Sequence, residues 1–307
     1  MLTLDQQIQH QIDLERYKTG LSKQVATRVN EVADEVLALL ATVPDNNSGI
    51  KSALSKIDRM IDTTFDNIQT DFLEQIKELL EAEITFLVKH SEVELTEEEK
   101  KSLIAPIFSL LILGLTLDQH NRAIKDSIKR NIRGRILAAK QNNIKLLIQA
   151  KALRGTALRK YKDGVWNRGI NGLATILDTA LSTYINNLQM ELLKADGVEK
   201  YRWISVLDSH TSAICRARSN KVFVVGQGPV PPAHARCRSG IRPYISEENT
   251  NISYSEWLRQ QPRAVVEEVL GKGKANLFLK NEISLDKFVT QTGRELTIEE
   301  LKAKLNQ

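Results

Sequence analysis

The chain has 307 residues, 42% of them hydrophobic but only 5% aromatic, with a formal net charge of +5 and two cysteines. That is enough apolar material for one good core or two smaller ones, packed by aliphatic side chains in a way that suits long helices. Two cysteines agree with a reducing compartment and speak against a disulfide, although one between Cys215 and Cys237 is geometrically conceivable.

The amino terminus lacks the basic start and continuous apolar run of a signal peptide, so the protein is expected to be made and kept in the cytoplasm. A first helix is expected over about Leu4 to Leu40. Within it Leu14, Tyr17, Leu21, Val25, Val29, Val32, Val36 and Leu40 recur at three- and four-residue steps and form one apolar stripe. Such a stripe fits a core face or a partner-binding face equally well. Residues 43–49, rich in proline, asparagine and glycine, break the pattern. Helix resumes over about Ile50 to Lys89 and again from Thr96, where Thr96 and Glu99 have capping-box spacing. Acids dominate residues 31–99, most of them expected on solvated helix faces.

Ser102 to Leu117 carries no charge over its whole length. It is too short for a lone membrane span, and Pro106 and Gly114 weaken it further, so it reads as a central core helix. The charge then reverses over residues 122–168. Arg122, Lys125, Lys129 and Arg133 form one helical row, opposite Ile124, Ile128, Ile132 and Ile136, and Arg130, Arg135, Lys140 and Lys145 add to it. A helix packed by its isoleucines would show a positive face, suited to phosphate backbones through counterion release without sequence readout. An acidic partner protein, such as the acidic half of a neighbouring copy, would be attracted equally well. Gly164, Gly169 and Gly172 are expected to loosen the chain around Trp166 before a last long helix, about Leu173 to Lys194.

Residues 201–244 hold both cysteines, His210 and His234, and four of the seven prolines. A strand is expected from Tyr201 to Leu207, then a short helix over roughly Ser212 to Arg218 whose free amides Asp208, Ser209 or Thr211 would cap. Asn220 suits a left-handed turn, and Lys221 to Val225 alternates as a second strand. The glycines and prolines from Gly226 to Ala233 make a stiff loop that delivers His234 and Cys237. Cys215, His234 and Cys237 are three candidate soft metal ligands, and a tetrahedral structural zinc would need a fourth, from His210 or Asp208. Reduced core thiols with a backbone-bonded His234 are the alternative. After a polar linker the tail reads as helix, glycine-rich break, a short strand-like or turn piece, and a final helix capped by Thr297 with Glu300 three residues on.

The motif W-x-x-x-L-D-S-x-T-x-x-x-C, a K-V-F strand and P-P-x-H-x-x-C-R-S resembles the minor head protein family of tailed bacteriophages, the head-morphogenesis family named after protein F of phage Mu. Trp203, Leu207, Asp208, Ser209, Thr211, Cys215, Lys221, Phe223, Pro231, Pro232, His234, Cys237 and Arg238 carry the resemblance. Several members have cysteines where Ser212 and Ser239 stand here. The likeness covers about Leu173 to Leu301 and implies a low-copy component of the head interior near the portal. Its implied roles are assembly and DNA packaging, with exit alongside the genome as a further option. Portal, major capsid or scaffold protein and phage double-stranded DNA are the implied partners, and membrane contact is not expected.

Asp208, Ser209 and His210 contain the atoms of a hydrolase triad, but neighbours on one turn cannot adopt its geometry. Walker loop, nucleophile elbow and paired metal-helix signatures are missing from the sequence. The family is sometimes compared with an ADP-ribosyltransferase-like fold, yet the Arg, Ser-Thr-Ser and Glu-x-Glu series is not evident, so no enzyme activity is expected. The expected fold is mainly α: a long helical N-terminal region over 1–195, then a small α+β C-terminal module over 196–246 and a helical tail over 247–307. The expected location is the virion, with the host cytoplasm during assembly.

Overall fold

A computed structural model of the chain describes residues 4–44, 46–89, 94–154, 164–206, 209–244, 253–290 and 294–305. It is mainly helical, with a long N-terminal helical region and one small antiparallel sheet in the C-terminal part. Packing divides it into two units, Met1–Phe86 with Ile104–Leu181, and Leu87–Leu103 with Ser182–Gln307. The expected boundary after residue 195 falls at the end of a helix inside the second unit.

The first unit is built on helices α1 (Leu4–Thr42), α2 (Asn47–Val88), α4 (Leu117–Gln141) and α5 (Leu146–Arg154), with the start of α6 (Val165–Ala195). The stripe of α1 from Leu14 to Leu40 is buried apart from half-buried Tyr17, so it serves as a core face. On α2 the residues Ile57, Ile61, Phe65, Ile68, Phe72, Ile76 and Leu80 bury a matching stripe. Polar bonds set the register of α1 on α2: Arg28 donates to Asp71, and His10 bonds buried Glu83 at 3.0 Å while its ring stacks on Phe86.

The acidic and basic runs meet here. Along α4, Lys125 donates to Asp66 and lies 3.5 Å from Asp62, Lys129 donates to Asp62, and Arg133 donates to Asp58. The carboxylates at 58, 62 and 66 recur every four residues on α2, so the two helices zip along one edge. Lys125 is itself buried. The expected solvated acids and free positive face are therefore in part a single intramolecular ladder.

Two sequence expectations are corrected in this unit. Ser102 to Leu117 is not one core helix: α3 (Glu97–Ile104) ends at Ile104, Ala105–Ser109 is a 3-10 turn, and residues 112–115 form a tight hairpin. Pro106 has no N–H to continue the α ladder, and Leu113 and Gly114 take positive φ. Ile104, Ile107, Ile112 and Leu117 are buried, whereas Leu111 is 59% and Leu113 50% exposed. Nor do glycines loosen the chain near Trp166. They lie in or just before α6, and a Cβ on Gly169 would stand 2.6 Å from Ile128 Cδ1 of α4, so glycine permits a close helix crossing and Trp166 is buried. Among the described residues no helix is long and apolar enough to cross a membrane.

The second unit holds the C-terminal half of α6, strands β1 (Lys200–Ile204), β2 (Val222–Val224) and β3 (Gly240–Pro243), and helices α7 (Ala213–Arg218) to α11 (Ile298–Leu305). β1 is the central strand, antiparallel to both neighbours, with Tyr201 opposite Phe223 and Trp203 opposite Ile241. In the tail, α8 (Tyr254–Arg259), α9 (Arg263–Leu270) and α10 (Lys272–Leu279) share a core with Leu285, Phe288 and Leu301. Gly271, at φ 75°, makes the expected break, and Thr297 and Glu300 exchange the expected capping-box bonds. Thr96 and Glu99 do the same at the start of α3.

Candidate metal centre

β1 and the short helix α7 place the first ligand. Tyr201 and Trp203 anchor the strand in the core, and the indole N–H of Trp203 donates to Ser205 Oγ. The chain then turns back so that Ser212, not the expected Asp208, Ser209 or Thr211, caps α7. Its Oγ accepts the Cys215 N–H, while Thr211 instead donates to Val206 O and holds the turn. Asn220 closes α7 in the left-handed region, as expected.

The loop after β2 places the other two. Pro231-Pro232 is cis, and no side chain fits at Gly228, where a Cβ would meet Phe223 and Tyr201 Oη at 2.4 Å. Tyr201 Oη donates to Pro229 O and pins the loop from below. His234 and Cys237 are thereby brought to Cys215, their ligand atoms all lying within 4.8 Å of one another. Cys215 Sγ is 3.6 Å from Cys237 Sγ and 3.3 Å from His234 Nε2. With metal–sulfur and metal–nitrogen bonds of about 2.3 and 2.0 Å, a tetrahedral zinc sets its ligands roughly 3.8 Å (S to S) and 3.5 Å (S to N) apart. These separations match the spacing of ligands around a zinc ion to within a small side-chain adjustment.

The surroundings favour that use. His234 Nδ1 donates to Ala235 O at 2.8 Å, which fixes the tautomer and leaves the Nε2 lone pair facing the sulfurs. The Ser212 hydroxyl, 2.7 Å away, is the present donor to that lone pair. Ser205 Oγ donates to Cys215 O, and Ser182 Oγ of α6 donates to Cys237 O. The hydrogen bond from Cys215, reinforced by His234, holds the Cys237 thiol well below its ordinary range, while the same bond and burial push Cys215 up. The bond to Cys237 also raises His234, against the effect of burial. Without a cation the pair holds one negative charge more readily than two. A divalent ion would stabilise both thiolates.

A small cavity adjoins Cys215 and His234. Its volume is about 20 Å³, room for one water, and it is lined by His210, Thr211, Ser212, Arg236, Arg238 and Ser239 among others. His210 is exposed and is not brought into the ligand group, so the expected fourth ligand is not in place, and Asp208 lies outside the described residues. Of the remaining motif residues, Trp203 carries the Arg218 guanidinium 5.0 Å over its ring, Pro232 sits in the loop, and Arg238 lines the cavity. The serine supports at 182, 205, 212 and 239 come from four separate stretches, so no local spacing in the sequence marks them.

The expected DNA-binding residues separate into two groups. Lys125, Lys129 and Arg133 pair with α2, Lys140 donates to Asn47, and Arg122 pairs with Asp118 one turn back. Arg130, Arg135 and Lys145 are exposed and make no ion pair with a described residue. No family model, curated protein or solved structure matches the chain. Fold and site together define a mainly helical protein whose small three-stranded module brings two buried cysteines and a half-buried histidine into a group with the spacing of metal ligands.

Proposed function

We propose that the chain is a structural protein of the head interior of a tailed phage, placed with the portal during assembly and acting by binding rather than by catalysis. The observation that carries this reading is the convergence of the motif residues Trp203, Cys215, His234 and Cys237 on one cluster. Residues spread over 35 positions of sequence act there as a single folding device. Both thiols are buried, Cys237 completely, whereas a nucleophilic cysteine needs access to its substrate. Burial of this kind supports a structural role.

In this proposal Cys215, His234 and Cys237 hold a zinc ion that ties α7 to the proline-rich loop, with water or Ser212 in the fourth position. The ion supplies cross-linking energy to a module whose sheet has only three short strands. A second reading, non-specific binding of duplex DNA during packaging or ejection, is supported by the exposed residues Arg130, Arg135 and Lys145. The pairing of Lys125, Lys129 and Arg133 within the chain leaves fewer cations for that purpose and favours the assembly role.

Co-sedimentation with the portal oligomer of the same phage, with and without duplex DNA at two salt concentrations, separates these readings. Portal binding that survives without DNA is expected. Binding to DNA alone would put the second reading first, and binding to neither would remove both.

A further inference from the structure

A cavity among the described residues lies away from the metal group, between α7 and β2 on one side and residues 286–290 with Lys304 on the other, all within the second unit. Its volume is about 510 Å³, in the range of small-ligand sites. Arg218, Lys221, Lys287 and Lys304 line it, opposed by one carboxylate, Asp286. Lys221 lies 3.9 Å from that carboxylate, and Arg218, Lys287 and Lys304 make no ion pair with a described residue. The floor is apolar, formed by Ile214, Phe223 and Val289.

Four cations from three segments of the chain converge here on one concave opening with a single acid among them. Like charges gathered in this way repel one another, and the arrangement is stabilised when an anion enters. A lone carboxylate would balance one of them. A phosphate ester brings two or three negative charges on tetrahedral oxygens that lysine ammonium groups and an arginine fork can reach from different sides. The apolar floor adds a place for the organic part of such an ester. Arg218 is held by its stack over Trp203, so its guanidinium is preorganised rather than swinging freely.

We propose that this cavity is a binding site for an organic phosphate, with Arg218, Lys221, Lys287 and Lys304 receiving the phosphate and Ile214, Phe223 and Val289 the organic moiety. Two sources share that chemistry, a free nucleoside phosphate and the phosphorylated end of a nucleic-acid strand. The site is independent of the metal group and of the role in head assembly.

The test is calorimetric titration of the full chain, at low salt, with ADP, pyrophosphate and a 5′-phosphorylated oligothymidylate. Saturable binding is expected, with ADP tighter than pyrophosphate because of the apolar floor. Lys287→Gln with Lys304→Gln changes two exposed side chains and should weaken ADP by about tenfold or more, while Asp286→Asn should tighten it. An unchanged melting temperature in each variant keeps the comparison about binding. Tighter binding of ADP assigns the free nucleotide, and tighter binding of the phosphorylated strand assigns the strand end. Absence of saturable binding by all three probes, or affinity unaltered by the double substitution, overturns the proposal.

Discussion

At the scale of single residues, the Cys-His-Cys group and the His10–Glu83 pair make the sharpest predictions. If the group holds zinc, the purified chain should carry close to one ion, measured by elemental analysis. Cys215→Ser or His234→Ala should then lose it together with several kcal/mol of stability in the second unit, because metal binding to a preformed site is folding free energy. Full stability with no metal would leave only packed thiols. For His10, burial lowers the pKa, but the hydrogen bond and charge of Glu83 outweigh it and raise the pKa above the ordinary 6.5. A raised folded pKa gives stability that is fully present below 6.5 and is lost as the pH rises through the folded value. The melting temperature of the wild type should fall between about pH 6 and 8, and His10→Gln should flatten that part of the profile.

At the scale of elements, the edge between α2 and α4 joins packing to charge. Asp62→Asn with Asp66→Asn leaves nearly buried Lys125 without a carboxylate and should destabilise by about 1–3 kcal/mol, less than for a fully buried pair because both acids are partly exposed. Denaturant titration measures it. Gly169→Ala sets two effects against each other. Alanine gains up to about 1 kcal/mol of helix propensity, but its Cβ would press on Ile128 at 2.6 Å in a closed core, and overpacking costs about 1–3 kcal/mol. Net destabilisation is expected, and a rise in melting temperature would show that α4 and α6 can move apart freely.

At the scale of the whole molecule, the opposed charge of the acidic and basic segments becomes an internal contact. Raising salt from about 0.05 to 0.5 M should therefore lower the stability of the first unit modestly, as exposed members of the ladder are screened. In duplex-DNA titrations, substituting Arg130, Arg135 and Lys145 should reduce affinity and its salt dependence. Substituting Lys129 should act mainly on stability.

Helix periodicity, the capping boxes at Thr96 and Thr297 and the Asn220 turn were determined by the sequence alone, which offered Cys215, His234 and Cys237 only as candidates to meet. Each depends on spacing or on the chemistry of one residue type, which neighbours in the chain report directly. Tertiary structure decided the rest. The uncharged run 102–117 breaks because Pro106 and the residues at 113–114 end the helix, and half of its leucines find no core to enter. Gly169 continues α6 because Ile128, 41 positions earlier, needs its space. The basic row is paired because α2 presents aspartates at the same four-residue step. Local sequence sets which face of an element is apolar or charged, but what that face meets depends on contacts distant in the chain, and only the folded molecule holds both sides together.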